Sequence, residues 1–245
     1  MFGSRVRRLL WAGVFVLVPI GVVASIARGM FVGDLATRMD PLRNEVLRAF
    51  AITDPHAAER PAEAVRFDSR FAAHPVLARL HVGLGAVFLV FAPLQFSAPI
   101  RNRYRALHRW SGRALLLAAF ASTGAALFFG LLMPFGGAAE AAAIAFFGGL
   151  FLVSLTRAFL AIRRRDVARH REWMIRAFAT AIGISTVRVV MMVLDPALTT
   201  AGFTAAAVFV VSIWTGWVLT VSVAELWIRY TRPRARPIAA AASAV

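Results

Sequence analysis

Cysteine and lysine are both absent from this 245-residue sequence. Without cysteine there are no disulfides, no thiolate metal sites and no cysteine-ligated iron–sulfur clusters. Without lysine, all 28 basic residues are arginines. Charge is scarce, at 16% of residues with only 12 acids, against about a quarter charged in an average soluble domain. The excess is apolar: 60% of residues are hydrophobic and the mean hydropathy is +0.70. These residues come in long blocks, which excludes one or two soluble domains of ordinary composition.

A membrane-spanning helix needs roughly 20 apolar residues in a row. Six runs meet that length: Leu9–Ala27, Val76–Ile100, Trp110–Pro134, Ala138–Ile162, Trp173–Leu194 and Phe203–Ile228. None shows the period-2 alternation of a barrel strand, so the sequence predicts an all-α, polytopic transmembrane helical bundle with six spans. The arginines give it a direction. Clusters lie before the first run (Arg5, Arg7, Arg8), between the second and third (Arg101, Arg103, Arg105, Arg109), between the fourth and fifth (Arg163, Arg164, Arg165, Arg169, Arg171) and after the sixth (Arg229, Arg232, Arg234, Arg236). They alternate on one side, which by the positive-inside rule is cytoplasmic and places both ends of the chain inside. The net charge of +16 is thereby explained as topology, with no role for nucleic acid. Trp11, Trp110, Trp173 and Trp227 fall at the same predicted interface, as an aromatic belt does.

The chain divides into a first span at 1–27, an extracytoplasmic segment at 28–75, a five-span bundle at 76–229 and a disordered cytoplasmic tail at 230–245. The first span has an alternative reading as a cleavable signal peptide; its apolar stretch is long for one, which favours a retained helix. The 28–75 segment carries as many acids as arginines. In it, Asp40-Pro41 reads as an N-cap followed by proline at the first helical position. Leu42, Val46, Leu47 and Phe50 follow at helical spacing. This predicts a short amphipathic helix lying on the outer surface, with a second interfacial turn around Val65, Phe67 and Phe71.

Ionisable groups inside spans are expensive and so carry information. On the outer side the expectation is one cluster of Arg188, Asp195, His81 and Glu140, acting as a ligand or proton site or as an interhelical clamp. The second span also presents Gln95 toward the bundle. On the inner side His108, Arg109 and Arg113 open the third span, and His170, Trp173 and Arg176 open the fifth. Arg157 lies about one turn inside. Glu225, the only acid of the sixth span, is expected to pair with Arg176, Arg157 or Arg113. Two histidines at one depth on different helices suit axial ligation of a haem. The same Arg-rich surroundings suit anionic phospholipid headgroups. No phosphate-binding loop, dinucleotide glycine fingerprint, HExxH or GxSxG occurs, and no catalytic constellation is legible.

Several of these residues form a recognisable set: Pro93-Leu94-Gln95-Phe96, Ile100-Arg101-Asn102-Arg103, Leu107-His108-Arg109 with Gly112-Arg113, Arg165-Asp166, His170-Arg171, and Trp173-Met174-Ile175-Arg176 with Arg188. Over about Phe71 to Glu225 the sequence resembles the bacterial predicted membrane proteins of domain of unknown function 2306. The resemblance implies a multi-span bundle in a bacterial inner membrane and brings no activity. It marks His81, Gln95, Arg101, His108, Arg109, Arg113, His170, Trp173, Arg176, Arg188 and Glu225 as residues of interest. Where this sequence has Ala114-Leu115 after Arg113, the family pattern has an aromatic tyrosine.

Two functions remain open. The first is a non-enzymatic inner-membrane module binding lipid, solute or a partner protein. The second is a b-type haem protein for transmembrane electron transfer, with His108 and His170 as inner ligands and His81 at an outer site.

Overall fold

A computed structural model of the chain describes residues 2–232. The described residues form only helices: α1 (Phe2–Met30), α2 (Leu35–Ala49), α3 (Arg60–Ala72), α4 (Pro75–Gln95), α5 (Ala98–Asn102), α6 (Arg105–Leu132), α7 (Gly137–Arg163), α8 (Val167–Thr200) and α9 (Ala205–Thr231). Six of them, α1, α4, α6, α7, α8 and α9, are long and apolar enough to cross a membrane. The expected tail at 230–245 falls outside the described residues from position 233 onward, and Tyr230 and Thr231 belong to α9.

The longest helix, α8, is the hub. It packs between α7 and α9 and also touches α1 and α4. One apolar core draws Phe88 and Leu89 from α4, Leu115 from α6, Phe151 and Leu155 from α7, and Phe178 and Ile182 from α8, with Val14, Leu17 and Val18 of α1 against it. A second joins Phe147 of α7 and Val187 of α8 to Ile213 and Trp217 of α9. Gly216 lets the two backbones approach closely, since a methyl group there would lie 2.7 Å from the Val187 backbone. Small residues at such crossings let membrane helices touch without a hydrophobic driving force between them. The remaining faces carry exposed Leu9, Phe15, Val23, Leu117, Phe146 and Leu226, as lipid-facing surfaces do.

With an even number of spans, the start of α1 and the end of α9 share one end of the bundle, together with α5 and the α7–α8 turn. That end is the rim. At the other end lie the α6–α7 and α8–α9 turns, closed over by α2 and α3. This is the cap.

The cap departs from the sequence expectation at its start. α2 begins at Leu35, one and a half turns before Asp40, and Pro41 lies inside the helix. The reason is a cap supplied in trans. Asp68 of α3 accepts the backbone N–H groups of Ala36 (3.0 Å) and Thr37 (2.9 Å), doing the work of an N-cap carboxylate for α2. Phe67 and Phe71, expected in a single turn, lie in the thirteen-residue α3.

Candidate functional site

At the cap end the structure overturns the expected outer cluster. Asp195 and Glu140 do not meet Arg188, because arginines of the cap claim them first. Arg43 donates to Asp195 (2.9 Å), Asp54 (3.1 Å) and Thr199 (2.9 Å). Arg70 donates to Glu140 at 2.8 Å, and both side chains are buried. Arg60 donates to Asp54 (2.8 Å) and to the Phe203 carbonyl (2.9 Å), while Glu63 accepts the first N–H of α9 at Ala205 (3.0 Å). Arg28, at the end of α1, donates to Asp68 at 2.7 Å. The cap is thus bolted to both hairpin turns by charge-assisted hydrogen bonds, the strong kind.

These bonds set the cap's electrostatics. Burial alone would raise the Asp68 carboxyl, but Arg28 and the two α2 amides outweigh it and hold it below the usual carboxylate range. Asp54 behaves alike: burial raises it, and Arg60, the His56 amide and Arg43 bring it lower. Arg43 is desolvated, yet Asp195 and Asp54 raise it further above the ordinary arginine value.

Beneath the cap, His81 Nδ1 lies 2.9 Å from the Ser122 carbonyl and the Ser122 hydroxyl donates back to the His81 carbonyl at 2.8 Å. Arg188 is half-buried and donates to the Ile184 carbonyl of its own helix at 3.1 Å. No carboxylate among the described residues pairs with it. His81 and Arg28 are the groups with which its charge interacts.

The rim is organised around α7, α8 and the turn between them. Helix α7 ends in a Schellman pair of bonds, Asp166 N–H to Ala161 C=O and Arg165 N–H to Ile162 C=O, each 3.0 Å. Arg165 takes the left-handed position at φ 60°. Asp166 then caps α8 by accepting the Arg169 N–H at 2.9 Å. This tight reversal sets the last turns of α7 beside the first turns of α8. Trp173 is consequently clasped between two guanidiniums, Arg157 of α7 at 5.2 Å and Arg176 of α8 at 4.6 Å from its ring centre. Arg176 is also held in a two-pronged bond by Glu225 of α9. Of the three partners the sequence allowed for Glu225, Arg176 is the one present. Glu172 takes Arg232 through two bonds of 2.7 Å. A cleft of about 340 Å³ opens here, lined by Arg157, Arg169, Glu172, Trp173, Arg176 and Arg232.

The other rim residues are spread more widely. Gln95 closes α4 and donates to the Ser111 hydroxyl of α6 at 2.9 Å. Arg101 on α5 and Arg109 on α6 are exposed, and Arg113 sits over Trp110 at 4.8 Å. His170 Nδ1 lies 2.9 Å from the Ala158 carbonyl of α7. His108 has a buried Nδ1 without a hydrogen-bond partner, and it interacts electrostatically with His170 and Arg101.

Residues 78–228, from α4 to the last turns of α9, match the family model described as "Predicted membrane protein (DUF2306)". The chain belongs to this family. It matches no curated protein and no solved structure. The family match leaves out α1, the cap and the last turn of α9. In this DUF2306 chain the rim cleft therefore lies almost wholly within the family region, and the arginines of the cap lie outside it.

Arg169 and Arg232 line the cleft, although in the sequence they serve only to orient the chain. The spacing of Arg169, Trp173 and Arg176 at i, i+4 and i+7 was the available signal, since it puts all three on one helix face. Arg43, Arg70 and Asp68 carried no such signal.

Proposed function

We propose that this protein is a membrane module that binds anionic lipid phosphates at its rim, with the rim at the cytoplasmic face of a bacterial inner membrane. The observation that carries the reading is Arg157. Its guanidinium lies over the Trp173 ring in the lining of the cleft, and no carboxylate among the described residues pairs with it. A guanidinium held on an aromatic face keeps its in-plane N–H donors free, which suits the oxygens of a phosphodiester. The surrounding exposed arginines add roughly 1 kcal/mol each toward an anionic headgroup. Binding of this kind requires no catalytic group.

The test is thermal unfolding of the purified protein in nanodiscs of phosphatidylcholine with and without phosphatidylglycerol. Phosphatidylglycerol should raise the melting temperature of the wild type and leave Arg157→Gln unmoved. Equal melting temperatures for the wild type in both lipids would sink the reading.

A second reading, the b-type haem, is favoured by one observation. An imidazole whose Nδ1 donates to a carbonyl, as the His170 contact with Ala158 allows, presents Nε2 to an iron. His108, close by, has its own Nδ1 unpaired. Against it stands the setting: a porphyrin needs apolar walls, and the polar neighbour acting on His108 besides His170 is Arg101. An oxidised-minus-reduced visible spectrum of protein expressed with abundant haem decides between the two. A Soret band lost in His108→Ala and in His170→Ala would replace the headgroup reading as the function of the rim.

A further inference from the structure

Two clefts, not one, open against the Arg157–Trp173 pair. The second, about 370 Å³, shares Arg157, Arg169 and Trp173 with the first. It differs in its other walls. Where the first has Glu172, Arg176 and Arg232, the second has Arg164, Asp166 and the apolar Leu160 and Ala161. The two are therefore neighbouring chambers divided by a ridge of three shared side chains.

The charges in the chambers are not equally available. Arg176 is held by Glu225, Arg232 by Glu172, and Arg169 lies 3.3 Å from Asp166. Among the lining arginines, Arg157 and Arg164 have no carboxylate partner within the described residues. Two uncompensated guanidiniums thus serve two adjacent chambers, one on the dividing ridge and one in the second chamber. A phosphodiester carries one negative charge, so two of them match this pair. The second chamber also reaches Leu160, an exposed apolar side chain of α7, which offers an acyl chain a path away from the arginines.

We infer that the twin clefts take a single lipid bearing two phosphodiesters joined through a glycerol, with one phosphate in each chamber and the Arg157–Trp173 ridge between them. This rests on the headgroup reading and narrows it. Its physical consequence is avidity. Once one phosphate is seated, the short linker presents the second at high effective concentration, so a two-phosphate lipid outcompetes two single-phosphate lipids of equal total charge.

The experiment titrates phosphatidylcholine nanodiscs containing the full chain with cardiolipin, or with twice as much phosphatidylglycerol so that phosphate is matched. It reads the melting temperature and, by native mass spectrometry, the lipid bound. The expected result is one cardiolipin per protein, with half-saturation at least about tenfold below that of phosphatidylglycerol. Arg164→Gln, on an exposed side chain, should weaken cardiolipin far more than phosphatidylglycerol, closing the gap between their half-saturations, with the melting temperature in pure phosphatidylcholine unchanged. Equal half-saturation for the two lipids in the wild type would overturn the two-phosphate inference and leave the headgroup reading standing. No response to either lipid would remove both. Full competition by the deacylated cardiolipin headgroup would overturn the lipid assignment in favour of a soluble bisphosphate.

Discussion

The two ends of the bundle use arginine in opposite ways. At the cap, the buried guanidiniums of Arg28, Arg60 and Arg70 each meet a carboxylate within 2.8 Å; Arg28 and Arg70 thereby join one helix to another, and Arg60 ties α3 to the loop before it. At the rim, Arg157 and Arg164 meet no carboxylate among the described residues and border open clefts. Balanced, buried arginines are structural: removing one partner leaves the other charge stranded. Unbalanced, exposed arginines add little to folding and remain available to a ligand. The difference turns on which carboxylates are near, since the residue type is the same at both ends.

The sharpest way to break this contrast is Asp68→Ala. It strips Arg28 of its partner and α2 of its N-cap in a single change. Loss of one member of a buried ion pair costs about 3–5 kcal/mol, and the lost cap adds about 1 kcal/mol. Thermal unfolding in detergent should show a large fall in melting temperature. Arg157→Gln at the rim, measured the same way without anionic lipid, should stay within about 0.5 kcal/mol of the wild type. Similar losses for both would mean that the two ends are not different in kind.

Arg188 comes next, because it is the exception at the cap end. It is half-buried and seven residues inward of Asp195, with no carboxylate of the described chain against it. A lone arginine inside a span costs roughly 2.5–3.5 kcal/mol on insertion scales. Arg188→Leu should therefore raise the melting temperature. A fall instead would mean that an anion from outside the polypeptide balances Arg188, and the cap end would then hold a ligand as well.

Acid should separate the ends more gently. Asp68 and Asp54 titrate below their unfolded values. Their stabilisation is therefore complete above the unfolded carboxylate value of about 4 and is lost as pH falls through the lower folded values. Hydrogen exchange at the Ala36 and Thr37 amides, corrected for intrinsic rate, should stay slow from pH 7 to about 4 and quicken below that. Protection unchanged at pH 2 would mean that Asp68 does not hold the start of α2.

The spans were legible because burial in lipid imposes a local rule, a long apolar run, on each helix separately. The Arg176–Glu225 pair was partly legible because an acid inside a span admits few partners. The cap was not. Arg43 lies 152 positions from Asp195 and Arg70 lies 70 from Glu140, so no local pattern links them. A segment with equal numbers of acids and arginines reads as neutral whether its charges face water or one another. Asp40-Pro41 looked like a helix start because the true cap of α2, Asp68, is on another helix. The clefts escaped for a related reason: cation clusters give topology from a count alone, but which arginines stay unpaired depends on where the acids fall.

The smallest expected effect tests whether the turns at the two ends depend on residue identity or on backbone bonds. Both α2 and α7 end in a Schellman motif with a non-glycine residue in the left-handed region, Ala51 at φ 53° and Arg165 at φ 60°. That conformation costs an L-residue roughly 1–2 kcal/mol, and glycine gives back about 0.4–1 kcal/mol of the gain through its freer unfolded chain. Ala51→Gly and Arg165→Gly should each stabilise the protein by about 0.5–1 kcal/mol, a rise of a degree or two in melting temperature. At the rim the same substitution removes a positive charge that borders neither cleft. Cardiolipin binding by Arg165→Gly should therefore weaken much less than in Arg164→Gln. If it weakened as much as in Arg164→Gln, the rim would be attracting lipid through its summed charge, and the two-chamber geometry would lose its claim to specificity.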